Sequence, residues 1–270
     1  MQVELFPKIC KAVTAMAECC TESGTPVAKS EVYNETWLLR MVLACIHDYK
    51  GDFVTGDAKI KKVLEKIQKV VCKHWISEGG LEPAFEQEGT TWTDAILGNV
   101  KICNNNKRGV EVEIRDPSTG VIIIEAKMGS ELSSGITNSS NYNQAARNIA
   151  CLAKLLNKEK VSKKIISESA FVLFAPKSKL EEWKSKNSPQ QLIDGAWKII
   201  ECQTRTRKGN CDSDTFKSIV GDIINNSIAL SWDDVIDAIE PSDTNLFSGF
   251  PISYLRDFYK IACSEINVNK

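Results

Sequence analysis

A run of four β-branched apolar residues, Val121 to Ile124, leads directly into Glu125, Ala126 and Lys127. Side chains alternate along a strand, so Glu125 and Lys127 share a face, roughly 6.5–7 Å apart along the backbone. Ala126 points the other way and is small enough to pack under a helix. A second acid, Asp94, sits beside another apolar run in TTWTDAILG. If the two strands lie in one sheet, Asp94 and Glu125 can converge into a hard oxygen site of the kind Mg²⁺ prefers. A lysine beside them can orient a water, favour its deprotonated form and stabilise charge building on a phosphate. Positioning plus electrostatics is most of what displacement at phosphorus needs, so the three residues suit cation-assisted phosphodiester hydrolysis.

The elements that must hold these residues follow from periodicity. Helices are predicted over 7–21, 34–48 and 58–75, the second apolar nearly all round with Asn34 as N-cap, the third amphipathic. SGTP at 23–26 is a break, and SEGGLEP ends the third helix. Three strands are predicted over 91–103, 109–116 and 120–128, with NNNKRG and DPSTG as the turns and the second turn suited to a hairpin. A long polar loop over 129–142 follows, then a helix over 143–157 and a buried strand over 169–176. The remainder reads as mainly helical. Helices, hairpin, helix and returning strand imply an α/β fold, a mixed central sheet with helices on both faces.

With Asp94, the Glu125-Ala126-Lys127 run and a following helix that begins near Gln144 in place, the chain resembles the PD-(D/E)XK nuclease superfamily. That resemblance implies a restriction-endonuclease-like core over 34–176, with mainly helical additions over 1–33 and 177–270, in a single domain 1–270. It implies that Asp94 and Glu125 ligate Mg²⁺ or Mn²⁺ together with the Ala126 carbonyl, and that Lys127 is the catalytic lysine. Glu35 holds the position of the acid that many members add from the preceding helix. Gln144 matches their polar residue on the helix after the strand, with Arg147 a turn later as a substrate contact. Thr93 stands where the family name expects a proline. The implied activity is an endonuclease of restriction or defence type, with DNA the preferred partner over RNA. Cutting both strands would favour a homodimer. A non-catalytic nucleic-acid- or protein-binding module on the same fold is the alternative.

Each of these residues has an ordinary structural role to set beside the functional one. Glu125 and Lys127 could merely pair at a strand end, and Asp94 could bond a turn amide. An acid in the first turn of a helix, such as Glu35, is favoured by the helix dipole. Gln144 could cap or face water, and Arg147 could cover the helix surface with its stem. Glu111 and Glu113 also share a face, but they alternate with Val110, Val112 and Ile114 as in a strand with one wet face. The lysines of 58–75 read as a solvated helix face. RTRKGN at 205–210 and Lys177–Lys179 are better placed to meet a phosphate backbone.

Composition sets the outer bounds. The chain has 270 residues, 43% hydrophobic and 26% charged, with a formal net charge of -1, which is ordinary globular composition without a polyanion-binding excess of charge. Ten scattered cysteines with no CxxC pair, and two histidines, argue against structural zinc and for thiols acting as small hydrophobes in a reducing cytoplasm. No segment reads as a signal peptide or an apolar membrane span.

Overall fold

The structure, a computed structural model, describes residues 4–19, 32–86, 88–103, 111–115, 118–130, 132, 142–184, 188–206, 213–239 and 250–268. Chain order begins with α1 (Leu5–Cys19), α2 (Glu35–Asp48) and α3 (Ala58–Val71). Strands β1 (Trp75–Leu81), β2 (Thr91–Leu97), β3 (Val100–Cys103), β4 (Glu111–Ile114) and β5 (Ile122–Ala126) follow. Then come α4 (Gln144–Lys158), α5 (Lys163–Glu168), β6 (Ala170–Ala175), α6 (Lys177–Lys184), α7 (Pro189–Asp194), α8 (Ala196–Thr206) and α9 (Asp214–Asn226). Strand β7 (Ile228–Ser231), α10 (Trp232–Ile239) and α11 (Ser253–Val268) close the described chain. Among the described residues no helix is long and apolar enough to cross a membrane.

The strands form one mixed sheet in the order β3-β4-β1-β2-β5-β6-β7. β1, β2 and β5 are successively antiparallel, whereas β5, β6 and β7 are parallel. The centre of the sheet is dry on both sides, which explains why β5 and β6 are continuous apolar runs rather than alternating ones. Ile122, Ile124 and Ala126 pack with α1, α2, α3, α10 and α11 on one face. Val121 and Ile123 pack with α4, α9 and neighbouring short helices on the other. An α/β fold with a mixed sheet flanked by helices is therefore what the chain forms.

Three expectations need correction. The helix read over 58–75 stops at Val71, and Trp75 opens β1, which includes most of the SEGGLEP segment. Gly79 and Gly80 make that strand look like a break, but β2 needs the space: a Cβ on Gly79 would come within 2.5 Å of Ile96 Cδ1. The strand read over 91–103 is two strands, divided at Gly98, whose φ of +139° only glycine adopts freely. The hairpin between 109–116 and 120–128 does not form. β4 pairs with β3 and touches β1, while β5 pairs with β2. A strand buried on both faces takes a central place, and a strand with one wet face goes to the rim. The described C-terminal stretch is mainly helical as read, with one strand the sequence reading passed over, Ile228–Ser231, which adds β7 beside β6. SGTP, DPSTG at its first two residues, and most of 129–142 lie outside the described residues.

Candidate active site

The β2–β5 ladder sets Ala95 opposite Ile124, and the same register carried one residue further sets Asp94 beside Glu125. Glu125 lies on the side covered by α4, where Gln144 and Asn148 reach it, and Asp94 meets it from β2 where the two strands part. There the regular ladder gives way to a side chain: Asp94 Oδ2 accepts the Ala126 backbone N–H at 2.6 Å. The two carboxyls are within hydrogen-bonding reach of each other. Like charges that close must share a proton or a cation.

Lys127 completes the cluster from β5's end. Its Nζ donates to Glu125 Oε1 at 2.5 Å, and both side chains are nearly enclosed, at 11% and 3% exposure. The lysine's backbone is held on both sides. Its N–H donates to Phe174 O at 2.8 Å, and its carbonyl accepts the Trp232 indole N–H at 3.0 Å. Phe174 and Trp232 also pack ring on ring, 4.9 Å between centroids, under the same residue.

Two helices bring the remaining groups. Asn143 caps α4 by accepting the Ala146 N–H at 2.8 Å. That cap aims the first turn at β5, where Gln144 Nε2 donates to Glu125 Oε1. One turn on, Asn148 Nδ2 reaches Glu125 Oε2 at 3.4 Å. Asn148 is fully buried and its Oδ1 has no hydrogen-bond partner among the described residues. Asn34 caps α2 as read from the sequence, accepting the Trp37 N–H at 3.1 Å. The next residue, Glu35, accepts the Met128 N–H at 3.2 Å and so ties α2 to the chain leaving β5.

Burial raises the Glu125 carboxyl to about 7, and the Asp94 charge adds to the effect against the pull of Lys127. Asp94 and Glu35 are raised as well, in both cases first by burial. Burial works to lower Lys127, but Glu125, Asp94 and Glu35 together outweigh it and hold the ammonium charged. In this arrangement Lys127 is a cation and not a free amine base. The carboxyls carry less negative charge than three ionised acids would.

Of the residues read from the sequence, Asp94, Glu125, Ala126, Lys127, Gln144 and Glu35 come together. Arg147 turns elsewhere: one guanidinium nitrogen donates to Gly89 O at 2.8 Å and to Thr90 O at 3.4 Å, bracing the chain before β2. Glu113 on β4, next to the edge strand β3, pairs with Lys101 at 3.2 Å, as suits a wet face. The lysines of α3 are not merely solvated, because Lys66 reaches Asn226 and Lys69 reaches Glu168. Lys179 pairs with Glu182 and Arg205 with Glu201, while 207–210 lie outside the described residues. Cys10 and Cys151 are buried thiols pushed up by burial, consistent with packing roles.

Sequence reasoning missed three neighbours of the cluster. Asn148 stands four residues after Gln144, and that spacing alone could have placed both on one helix face. Trp232 is too distant in the chain to be inferred. Glu78 faces Asp94 across the β1–β2 register, and its charge contributes to the raised Asp94 carboxyl. Its φ of +58° is rare for a residue with a side chain, and Arg40 meets it at 3.4 Å.

The donor set fits a hard divalent cation. Asp94 and Glu125 supply two carboxylates and Ala126 a backbone carbonyl beside them. Among the described residues no group of three or more His, Cys, Asp or Glu side chains could hold a metal by itself. Mg²⁺ does not require one, since it is commonly held by one or two carboxylates, with water and substrate phosphate oxygens completing the shell. No protein-family model, curated protein or solved structure matches the chain.

Proposed function

We propose that this chain is a divalent-cation-dependent nuclease that hydrolyses phosphodiester bonds in DNA, on a restriction-endonuclease-like core. The observation that carries the reading is the meeting of Asp94, Glu125 and Lys127 where β5 leaves the sheet. The core so assigned spans 34–176: α2 with Glu35, α3, β1, β2, β5, α4 and β6, with β3 and β4 as an added antiparallel pair. Three antiparallel strands, a helix and a parallel strand are compatible with such a core, although β1, β2 and β5 are not the three strands read from the sequence.

Asp94 and Glu125, with the Ala126 carbonyl, would hold Mg²⁺ or Mn²⁺, and Glu35 stands near enough to assist through water. The cation, when bound, supplies positive charge for a phosphate oxygen and a lower pKa for water. Lys127 contributes a fixed ammonium that orients the attacking water and faces the charge that grows on phosphorus. Gln144 and Asn148 hold opposite oxygens of Glu125, so its carboxylate cannot rotate away from Asp94. The Phe174 and Trp232 hydrogen bonds fix the backbone of Lys127.

The alternative of a non-catalytic binding module draws on one feature: the Lys127–Glu125 pair already satisfies both charges without a ligand. Incubating the protein with plasmid, linear and single-stranded DNA and Mn²⁺ separates the two. The nuclease reading predicts cleavage that Lys127→Ala lowers by a hundredfold or more, of the order seen when one electrostatic group of a site is removed. Equal cleavage by both proteins, or none by either, counts against it.

A further inference from the structure

We propose that the groove where β1 begins is a second binding site, built for a free nucleotide: a small molecule with phosphate at one end and an apolar ring at the other. The groove has a volume of about 650 Å³. That lies within the roughly 300–1,000 Å³ of ordinary small-molecule sites. The inference stands apart from the nuclease reading and uses none of the acid cluster.

The fold places the groove at one corner of the sheet. Its walls come from the end of α3 and the turn into β1, from edge strand β3, and from the residue after β4. His74 O accepts the Gly98 N–H at 3.0 Å, and the Arg115 N–H donates to Asn99 O at 2.8 Å. These two bonds hold the Lys73–His74 turn and Arg115 against the same β2–β3 corner. Leu97 pairs with Trp75 on one side and Ile122 on the other, so the corner lies level with the start of β5. The acid cluster lies at the end of β5, and three residues of β2, about 10 Å at the usual strand rise, part Leu97 from Asp94.

Lys73, Lys101 and Arg115 line the groove, and no Asp or Glu does so among the described residues. The side chains of Lys73 and Arg115 make no ion pair or hydrogen bond with a described residue. Lys101 meets Glu113 at 3.2 Å, but the two side chains are 45% and 41% exposed, so solvent screens the pair. The His47 ring is held by Asp48 and is not counted as a cation. In a chain of formal net charge -1, this is a local excess of positive charge suited to an anion.

Lysines alone would be an ordinary wet surface. Between these cations, however, Trp75, Val100 and Ile102 form an apolar wall, and Ile102 is 48% exposed. A hydrated inorganic ion has no use for such a wall, whereas a base or similar ring covers it. The cations gather round one groove of nucleotide size rather than along a stripe, which favours a free nucleotide over an extended strand.

Isothermal titration calorimetry in EDTA, with ADP, pyrophosphate and adenosine as separate probes, tests both halves of the site. The chelator keeps divalent cation from the acid cluster, so that cluster offers no point for phosphate. The expected result is one-to-one ADP binding, at least tenfold tighter than that of pyrophosphate or adenosine. The double variant Lys73→Ala/Arg115→Ala should weaken ADP by about tenfold or more, as for the loss of two charge-assisted contacts. Asp94→Ala should bind ADP as the parent does. Lys73 and Arg115 are both exposed, and thermal melting of each variant excludes a folding defect. No ADP binding, ADP binding unchanged in the double variant or lost in Asp94→Ala, or pyrophosphate bound as tightly as ADP overturns the proposal. A single-stranded oligonucleotide that binds more tightly than ADP through Lys73 and Arg115 also overturns it, by making the groove a strand-binding surface. DNA cleavage is measured separately, so failure here leaves the nuclease reading standing, and failure of that reading leaves the groove.

Discussion

Glu125 is the residue on which the site's electrostatics turn. Enclosed at 3% exposure and set beside Asp94, its carboxyl rises to about 7, although Lys127, Gln144 and Asn148 all donate to it. The folded chain then keeps a proton on Glu125 between about pH 4.5 and 7, where the unfolded chain has released it. For a carboxyl raised on folding, stability is greatest below its unfolded pKa and falls as pH climbs through the folded one. Without divalent cation, Glu125→Gln should therefore gain stability relative to the parent as pH rises from 5 to 8, by on the order of 1–3 kcal/mol. Urea melts of both proteins in chelator at the two pH values measure the difference; a difference that stays constant contradicts the assignment. The reactive residue types were legible in the sequence because strand alternation alone puts Glu125 and Lys127 on one face. Their surroundings were not. Asn148 hides in an apolar helix stripe, Arg147 was drawn to the loop before β2, and the left-handed backbone at Glu78 has no sequence signal.

At the level of elements, the site stands where β5 gives up its ladder with β2 and two capped helices arrive. The Asn34 cap was read directly, whereas Asn143, read as the first helical residue, proves to be the cap of α4. β1 could not be read. Its glycines look like a stop signal, and only the packing of Ile96 against Gly79 shows why a side chain is missing there. The partner of β5 was misread for a related reason: neighbours in sequence are the default partners, but burial on both faces took β5 to the centre. The short strand β7 was overlooked in a helical context, and α10 directly after it carries Trp232, which clamps Lys127 from across the sheet. Trp232→Phe keeps most of the ring packing and deletes one buried hydrogen bond. It should lower stability by about 1 kcal/mol. If the clamp positions the lysine, kcat falls several-fold while KM holds, and Trp232→Phe with unaltered kcat would limit Trp232 to packing. Steady-state cleavage kinetics beside a denaturant melt give both quantities.

For the molecule as a whole, two hydrophobic cores sandwich one seven-stranded sheet, and the acid cluster lies where the central strands part, between the first turns of α2 and α4. The formal net charge of -1 means that the long-range field does little to gather a polyanion, so affinity must come from the site itself. On the proposed reading, a cation bound there would convert a repelling acid pair into an attractive point for phosphate. Binding to the folded state alone also stabilises the fold in proportion to the logarithm of cation concentration over Kd. Mn²⁺ titration followed by melting temperature and calorimetry, in the parent and in Asp94→Ala, tests the central claim most directly. The account predicts saturable binding with a rising melting temperature in the parent and loss of both in Asp94→Ala. A parent that ignores Mn²⁺, or an Asp94→Ala protein that responds just as the parent does, would contradict it.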